Sequence, residues 1–266
     1  WLASSLGTGE LLLAAARRGA DAVLLGVGGS ATNDCGLGAL SALGLRGLDP
    51  AGRGLPGLAP AFWEGLSQLS GYALTPLPPL RIACDVDNPL LGPQGASTIY
   101  APQKGLSAGD LPRMEAAVER VSALLCRRFG RDPSTRQSPG AGAAGGIAFG
   151  LGCACGAELV SGFDVVGAWL GLEEKIATAD LVITGEGRFD LSSLQGKGPG
   201  AIVRRVLARD GRICVFAGSI SEELRQAYAG HPGLQLIAIS PLELPLPEAM
   251  AQAGPLLRRA LTLAFA

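Results

Sequence analysis

Four glycine-framed stretches hold most of the side chains in this sequence that could do chemistry. The first is Gly26-Val27-Gly28-Gly29-Ser30-Ala31-Thr32-Asn33-Asp34, which follows a short apolar run. Glycines let a backbone approach an anion, and Gly28, Gly29, Ser30, Thr32 and Asn33 add neutral donors. A tight strand-to-helix turn capped by Asn33 or Asp34 accounts for the same residues without a ligand. The second stretch, Asp85-Val86-Asp87-Asn88, spaces two carboxylates at i and i+2. On an extended chain they project from one side and suit Mg²⁺, which takes one or two carboxylates and keeps water and phosphate as its other ligands. An Asx-turn before Pro89 is the plain alternative.

The third stretch runs from Gly185-Glu186-Gly187-Arg188-Phe189-Asp190 through Ser192 and Ser193 to Gly196-Lys197-Gly198-Pro199. It reads as one connection between a strand and a helix, carrying two acids, an Arg, a Lys, two hydroxyls and four glycines. The chain has only three lysines, and two of them, Lys104 and Lys197, lie in loops framed by Gly and Pro. Phosphate binding is the functional reading of both, and a solvated loop side chain is the plain one. The fourth stretch, Pro139 to Gly146, contains GxGxxG, but no strand pattern precedes it, so the dinucleotide fingerprint fails.

Rare residues exclude other chemistries. A single histidine, His231, rules out a multi-histidine metal site and leaves one candidate for any Ser-His or Cys-His arrangement. None of the six cysteines forms a CxxC pair, and several sit in apolar runs, which favours a reducing, cytoplasmic setting. With 22 basic against 23 acidic residues the chain lacks the electrostatic footprint of a nucleic-acid binder. Residues 1–16 show no basic start or cleavage site of a signal peptide. The uncharged stretch Gln137–Ala157 is long enough to raise a membrane span, but it holds seven Gly, six Ala and only three large apolar side chains. It reads as a buried, closely packed segment, and no membrane partner is expected.

The elements that must position these stretches follow from periodicity. Residues 8–19 read as a helix, Ala22–Leu25 as a buried strand, and a helix follows Asp34 to about Leu43. Residues 46–79 read as loop with one short helix near Trp63, and Arg81–Cys84 as a strand. The clearest helix is 110–129, with Asp110 as its cap, Pro112 in the first turn and Gly130 at its end. From 164 onward helices alternate with strands at 181–184, 213–216 and 234–239, and a last helical stretch, 247–265, is interrupted at Pro255. That alternation predicts an α/β fold with parallel strands.

Taken together the stretches resemble the type I, bacterial glycerate kinase family. The matching runs are GTGELL at 7–12, GVGGSATND at 26–34, ACDVDNPLLGPQGAS at 83–97 and APQKG at 101–105. They continue with PGAGAAGG at 139–146, GAELVSGFDVV at 156–166, ITGEGRFD at 183–190, GK at 196–197 and AGS at 217–219. The order is collinear along nearly the whole chain. Departures are Cys35 and Gly198, where the family usually has Gly and Thr, and Ser192, Ser193 and Gln195.

The resemblance implies two α/β units. Residues 1–165 would be the family's central unit, and 166–266 the C-terminal part of a flavodoxin-like, parallel-sheet unit that lacks strands on its N-terminal side. It implies transfer of the ATP γ-phosphoryl group to D-glycerate with Mg²⁺, giving 2- or 3-phosphoglycerate, and leaves room for a homodimer. The alternative is a truncated, non-catalytic binding module of the same family. The expected catalytic residues are Asp190, Lys197, Asp87 and Arg188. Asp85, Asp87 and Glu186 are the expected metal ligands. Gly28, Gly29, Ser30, Thr32, Asn33, Lys104, Gly185 and Gly187 would bind substrate and phosphate.

Overall fold

A computed structural model describes residues 1–71, 75–194 and 198–266. The chain divides into two compact units, Trp1–Gly162 and Phe163–Ala266.

The first unit contains α1 (Leu6–Arg17), β1 (Val23–Gly26), α2 (Leu37–Ala42), β2 (Arg46–Leu48), β3 (Gln68–Ser70) and β4 (Leu80–Ala83). It continues with α3 (Ala96–Tyr100), α4 (Leu111–Phe129), α5 (Ala143–Cys155) and β5 (Glu158–Val160). Its main sheet has the order β1-β4-β5 with both pairs parallel, Val23 opposite Leu80 and Arg81 opposite Glu158. The expected strand at 22–25 is thus present, but as an edge strand it is half-buried rather than buried. β2 and β3 form a separate antiparallel pair inside the region expected to be loop.

Helix α4 follows the predicted pattern: Met114, Val118, Val121 and Leu125 are buried along one face, and Gly130 ends it in the left-handed region at φ 62°. Its start differs. Asp110 makes no side-chain cap; Ser107 accepts the Asp110 N–H and closes a 3₁₀ turn before the helix. The Gly/Ala segment is buried, as expected, from Ala143 through Leu151 with Ala144 alone half-buried. The core around it holds Leu37, Leu40, Trp63, Ile82, Leu90 and Leu125.

The second unit contains α6 (Gly162–Trp169), α7 (Leu172–Thr178), β6 (Val182–Phe189), α8 (Gly198–Leu207), β7 (Ile213–Ile220), α9 (Glu222–Ala227), β8 (Leu234–Ala238), α10 (Leu246–Ala251) and α11 (Ala253–Ala264). Its sheet, β6-β7-β8, is wholly parallel. The fold is therefore α/β with parallel sheets. The helix expected at 164–177 is broken into α6 and α7 at Gly171, which adopts φ 60°. Pro255 does not break the last stretch; the interruption is at Gln252, and Pro255 occupies the first turn of α11.

One sequence expectation is overturned here. Gly185-Glu186-Gly187-Arg188-Phe189 is strand, not loop: β6 runs on to Phe189, with Gly185 opposite Phe216 and Arg188 opposite Ser219. A Cβ at Gly185 would lie 2.2 Å from the Phe216 carbonyl oxygen, so glycine is what the pairing requires. Among the described residues no helix is long and apolar enough to cross a membrane.

Candidate active site

In open parallel sheets ligands bind beyond the carboxyl ends of the strands, where the backbone groups turn outward. In the first unit that rim is formed by Gly26–Asp34 after β1, Asp85–Asn88 after β4 and Ser161 after β5. The 3₁₀ turn Pro102–Lys104 brings Lys104 to the first of these loops. Its Nζ donates to Ser30 Oγ at 3.0 Å and to the Thr32 carbonyl at 2.8 Å. Burial lowers the Lys104 pKa, and the Asp34 carboxylate partly restores it. The lysine is thus a clamp on the glycine loop as well as a cation at the rim.

Asn33 is buried, and its Nδ2 donates to the buried Ser97 Oγ at 3.0 Å. Its Oδ1 has no hydrogen-bond partner among the described residues. Gly29 takes φ 67°, and a Cβ on Gly28 or Gly29 would meet nothing within 4 Å, so both glycines face open space.

Asp34 has the capping role that the plain reading gave it. It is fully buried, and its carboxylate accepts from Gly36 N at 3.1 Å and Gly38 N at 3.2 Å at the start of α2. It also accepts from Ser5 N at 2.7 Å and Ser5 Oγ at 2.8 Å, which ties the start of α1 to the same point. Burial raises its pKa, and these hydrogen bonds pull it back in part. Cys35, next in the chain, adopts φ 54°, a left-handed conformation that glycine takes without strain.

Asp85 and Asp87 are both exposed at the end of β4. Ser161 Oγ donates to Asp85 Oδ1 at 3.4 Å, and a Cβ at Gly162 would come within 2.9 Å of Asp85 Oδ2. The Gly/Ala segment packs beneath both loops. A Cβ at Gly145 would stand 2.1 Å from the Thr32 carbonyl oxygen, and one at Gly142 2.3 Å from that of Pro89. Ala144, Gly145 and Gly146 are all left-handed, which lets this turn enter α5 between the loops. The 3₁₀ helix Pro133–Gln137 precedes it, so the strand that a dinucleotide fingerprint needs is absent among the described residues.

In the second unit Glu186 and Arg188 lie at the carboxyl end of β6 and Asp190 just beyond it. Arg188 Nε and Asp190 Oδ2 pair at 3.2 Å. The Asp190 N–H donates to the buried Ser193 Oγ at 3.2 Å. Glu186 Oε1 is buried with no hydrogen-bond partner among the described residues. Gly187 has open space at its Cβ position. Lys197, with Gln195 and Gly196, lies outside the described residues.

Other nucleophiles are accounted for. His231 sits in an exposed turn, where its Nδ1 accepts from Gly233 N at 3.2 Å. Burial pushes Cys153 up to about 12 and Cys155 up to about 11, which leaves both as inert thiols at neutral pH. The Gly26–Asp34 loop can therefore offer an anion backbone and hydroxyl donors, and among the described residues no group of three or more His, Cys, Asp or Glu is placed to hold a metal ion. Nor is there Cys-His or Ser-His machinery among the described residues.

The glycerate kinase family model matches residues 1–265. The chain belongs to the glycerate kinase family. A glycerate kinase of Bacillus subtilis (strain 168) is 37% identical over 97% of this chain and 67% of its own length. A glycerate 2-kinase of Escherichia coli (strain K12) is 38% identical over 83% of this chain and 58% of its own length. A crystal structure provisionally named a glycerate kinase 2, from Salmonella typhimurium LT2, is 34% identical with a TM-score of 0.71, covering 98% of this chain and 69% of that one. The chain thus spans about three fifths to two thirds of the length of these family members.

Sequence reasoning singled out Ser30, Thr32 and Lys104, and the structure brings them together. It did not give Ser97, Tyr100 or Asn88 a part in holding the rim, although Asn88 and Ser97 lie within the recognised run ACDVDNPLLGPQGAS and Tyr100 falls between that run and APQKG.

Proposed function

We propose that this chain carries the phosphoryl-transfer chemistry of a glycerate kinase, moving the γ-phosphoryl group of ATP to D-glycerate with 2-phosphoglycerate as product. The observation that carries this reading is family membership over residues 1–265. The name of the Escherichia coli relative, a glycerate 2-kinase, supports the choice of hydroxyl. In this reading residues 1–165 are the family's central unit and 166–266 the C-terminal part of its flavodoxin-like unit.

Phosphoryl transfer needs positioning and charge neutralisation more than covalent catalysis, which suits a chain with one histidine. Gly28, Gly29, Ser30, Thr32 and Asn33 hold glycerate or phosphate oxygens by backbone and side-chain donors. Lys104 donates to two acceptors of the Gly26–Asp34 loop, and its third N–H adds to that donor set. Arg188 and Lys197 neutralise phosphate charge, Gly187 keeps the end of the β6 backbone open to it, and Asp190 takes the proton of the attacking hydroxyl.

Asp85 and Asp87, exposed carboxylates two residues apart, are hard oxygen donors of the kind Mg²⁺ takes and would hold it in the first unit. When bound, the ion neutralises polyphosphate charge and orients its oxygens. The cytoplasm is the compartment that suits this chemistry and the six free thiols.

The test is phosphorus NMR of the purified chain with D-glycerate, ATP and Mg²⁺. The expected result is a new phosphomonoester signal split into a doublet by the single proton on C2. A triplet from a CH₂ group moves the assignment to 3-phosphoglycerate. ATP left unconsumed refutes the activity.

A further inference from the structure

The Gly26–Asp34 loop holds donors that the protein itself does not use. Among the described residues the backbone N–H groups of Gly28, Gly29, Ala31 and Thr32 have no acceptor, whereas that of Cys35 donates to Gly145 O at 3.0 Å. Gly28, Gly29 and Ala31 are exposed and Thr32 is half-buried, so a ligand can reach this stretch of backbone. Successive unpaired N–H groups of this kind form a concavity for an anion.

One cation serves them. Lys104 Nζ directs two of its three N–H groups at Ser30 Oγ, 3.0 Å away, and the Thr32 carbonyl, 2.8 Å away, which leaves one for a ligand. Both acceptors are neutral, and Lys104 makes no ion pair among the described residues. Apart from burial, what acts on Lys104 is the carboxylate of Asp34, itself fully buried. Arg81, Arg120 and Arg131 of this unit are engaged elsewhere. Arg81 pairs with Glu158 at 3.8 Å, Arg120 donates to the Leu66 carbonyl at 2.6 Å, and Arg131 donates to that of Cys153 at 2.9 Å.

One free N–H on one ammonium, joined to several neutral amides and offset by a buried carboxylate, matches a monoanion. A carboxylate brings one charge and two acceptor oxygens. The triphosphate of ATP brings roughly three to four charges, and sites that handle it gather cations around it. The second unit is the richer in that respect, with Arg188 at the end of β6 and Lys197 following in the sequence.

We propose that the Gly26–Asp34 loop and Lys104 form the subsite for the carboxylate of the hydroxy-acid substrate, and that ATP is held without Lys104. This rests on the kinase reading above and divides its two ligands: the lysine meets the acid, not the nucleotide.

The test is calorimetric titration of the full chain with each ligand alone, so that nothing turns over: D-glycerate, its neutral amide D-glyceramide, and ATP with Mg²⁺. Wild type should bind D-glycerate about tenfold or more tighter than the amide, because the carboxylate gains a charge-assisted hydrogen bond that the amide lacks. Lys104→Gln should remove that preference, leaving the two ligands within about threefold of each other. ATP affinity should stay within about twofold of wild type, since no contact to the nucleotide is lost.

Equal affinity of wild type for D-glycerate and the amide would overturn the proposal without any variant. So would no binding of D-glycerate to wild type, a preference that survives Lys104→Gln, or a loss of ATP affinity in that variant. Circular dichroism shows whether Lys104→Gln folds, and if it does not, the wild-type comparison decides alone. Lys104-dependent binding of D-glycerate with no consumption of ATP would leave the subsite standing and refute the kinase reading instead.

Discussion

Two glycines of α5 give opposite predictions two residues apart. At Gly150 an ideal Cβ would lie 2.0 Å from the Cys35 carbonyl oxygen and 3.3 Å from Gly36 Cα. At Gly152 the nearest atom, the Ala157 carbonyl oxygen, is 3.6 Å away, which is ordinary contact. In a helix interior alanine is favoured over glycine by roughly 0.8–1.0 kcal/mol, and this gain is available at both sites. At Gly152 nothing opposes it, so Gly152→Ala should stabilise the protein by up to about 1 kcal/mol. At Gly150 ordinary contact begins at 3.4 Å, so α5 and the Cys35–Gly36 backbone must part by about 1.4 Å. Overpacking of a filled core costs about 1–3 kcal/mol, and more when backbone meets backbone. The helix-propensity gain offsets about 1 kcal/mol, so Gly150→Ala should be destabilised by roughly 2 kcal/mol or more. Urea unfolding read by circular dichroism measures both, with the slope checked for equality. Equal stability of the two variants would refute the claim that backbone contact, rather than helix propensity, selects glycine at position 150.

Two more outcomes follow from the rim. Asp34 has a raised pKa, so its contribution to stability is fully present below the ordinary 3.8 and declines as pH rises through the raised value. The stability difference between wild type and Asp34→Asn should therefore shift in the variant's favour as pH climbs from 3.8, and a pH-independent difference would contradict the burial argument. Lys104→Met removes both donors to Ser30 and Thr32 and should lower kcat/KM by about tenfold or more, with Lys104→Arg a poor rescue because a planar fork cannot reproduce the two contacts.

What the sequence discloses depends on the length of each pattern. Helix α4 is legible because its apolar residues repeat over five turns and Gly130 marks the end. β5 and the β2–β3 pair have three residues per strand, too few for alternation to show. The end of β6 misleads for a different reason: glycine is depleted in strands, yet the Phe216 carbonyl excludes any side chain at Gly185.

Within the site, Lys104 stands out by scarcity and its Gly/Pro frame, and the loop it clamps is next to a recognisable strand. Tyr100 gives no such sign. Its one hydroxyl reaches Asn88 across a turn, and no periodicity encodes that contact. Asp34 could be read as a cap from its position, but not as the anchor of α1, because Ser5 is twenty-nine residues away in the chain.

The close approach of Gly142 and Gly145 to the carbonyls of Pro89 and Thr32 bears on how this rim can diversify. Both loops rest on one shared floor whose spacing is set by bare backbone, so neither can be lengthened or re-angled without dislodging the other. New ligand preferences would have to arise by exchanging outward side chains on a fixed plate, while insertions accumulate elsewhere. Partly exposed hydrogen-bonded side chains above that floor, Ser30 and Lys104 among them, are the positions at which such exchanges can retune recognition without remodelling the chain path.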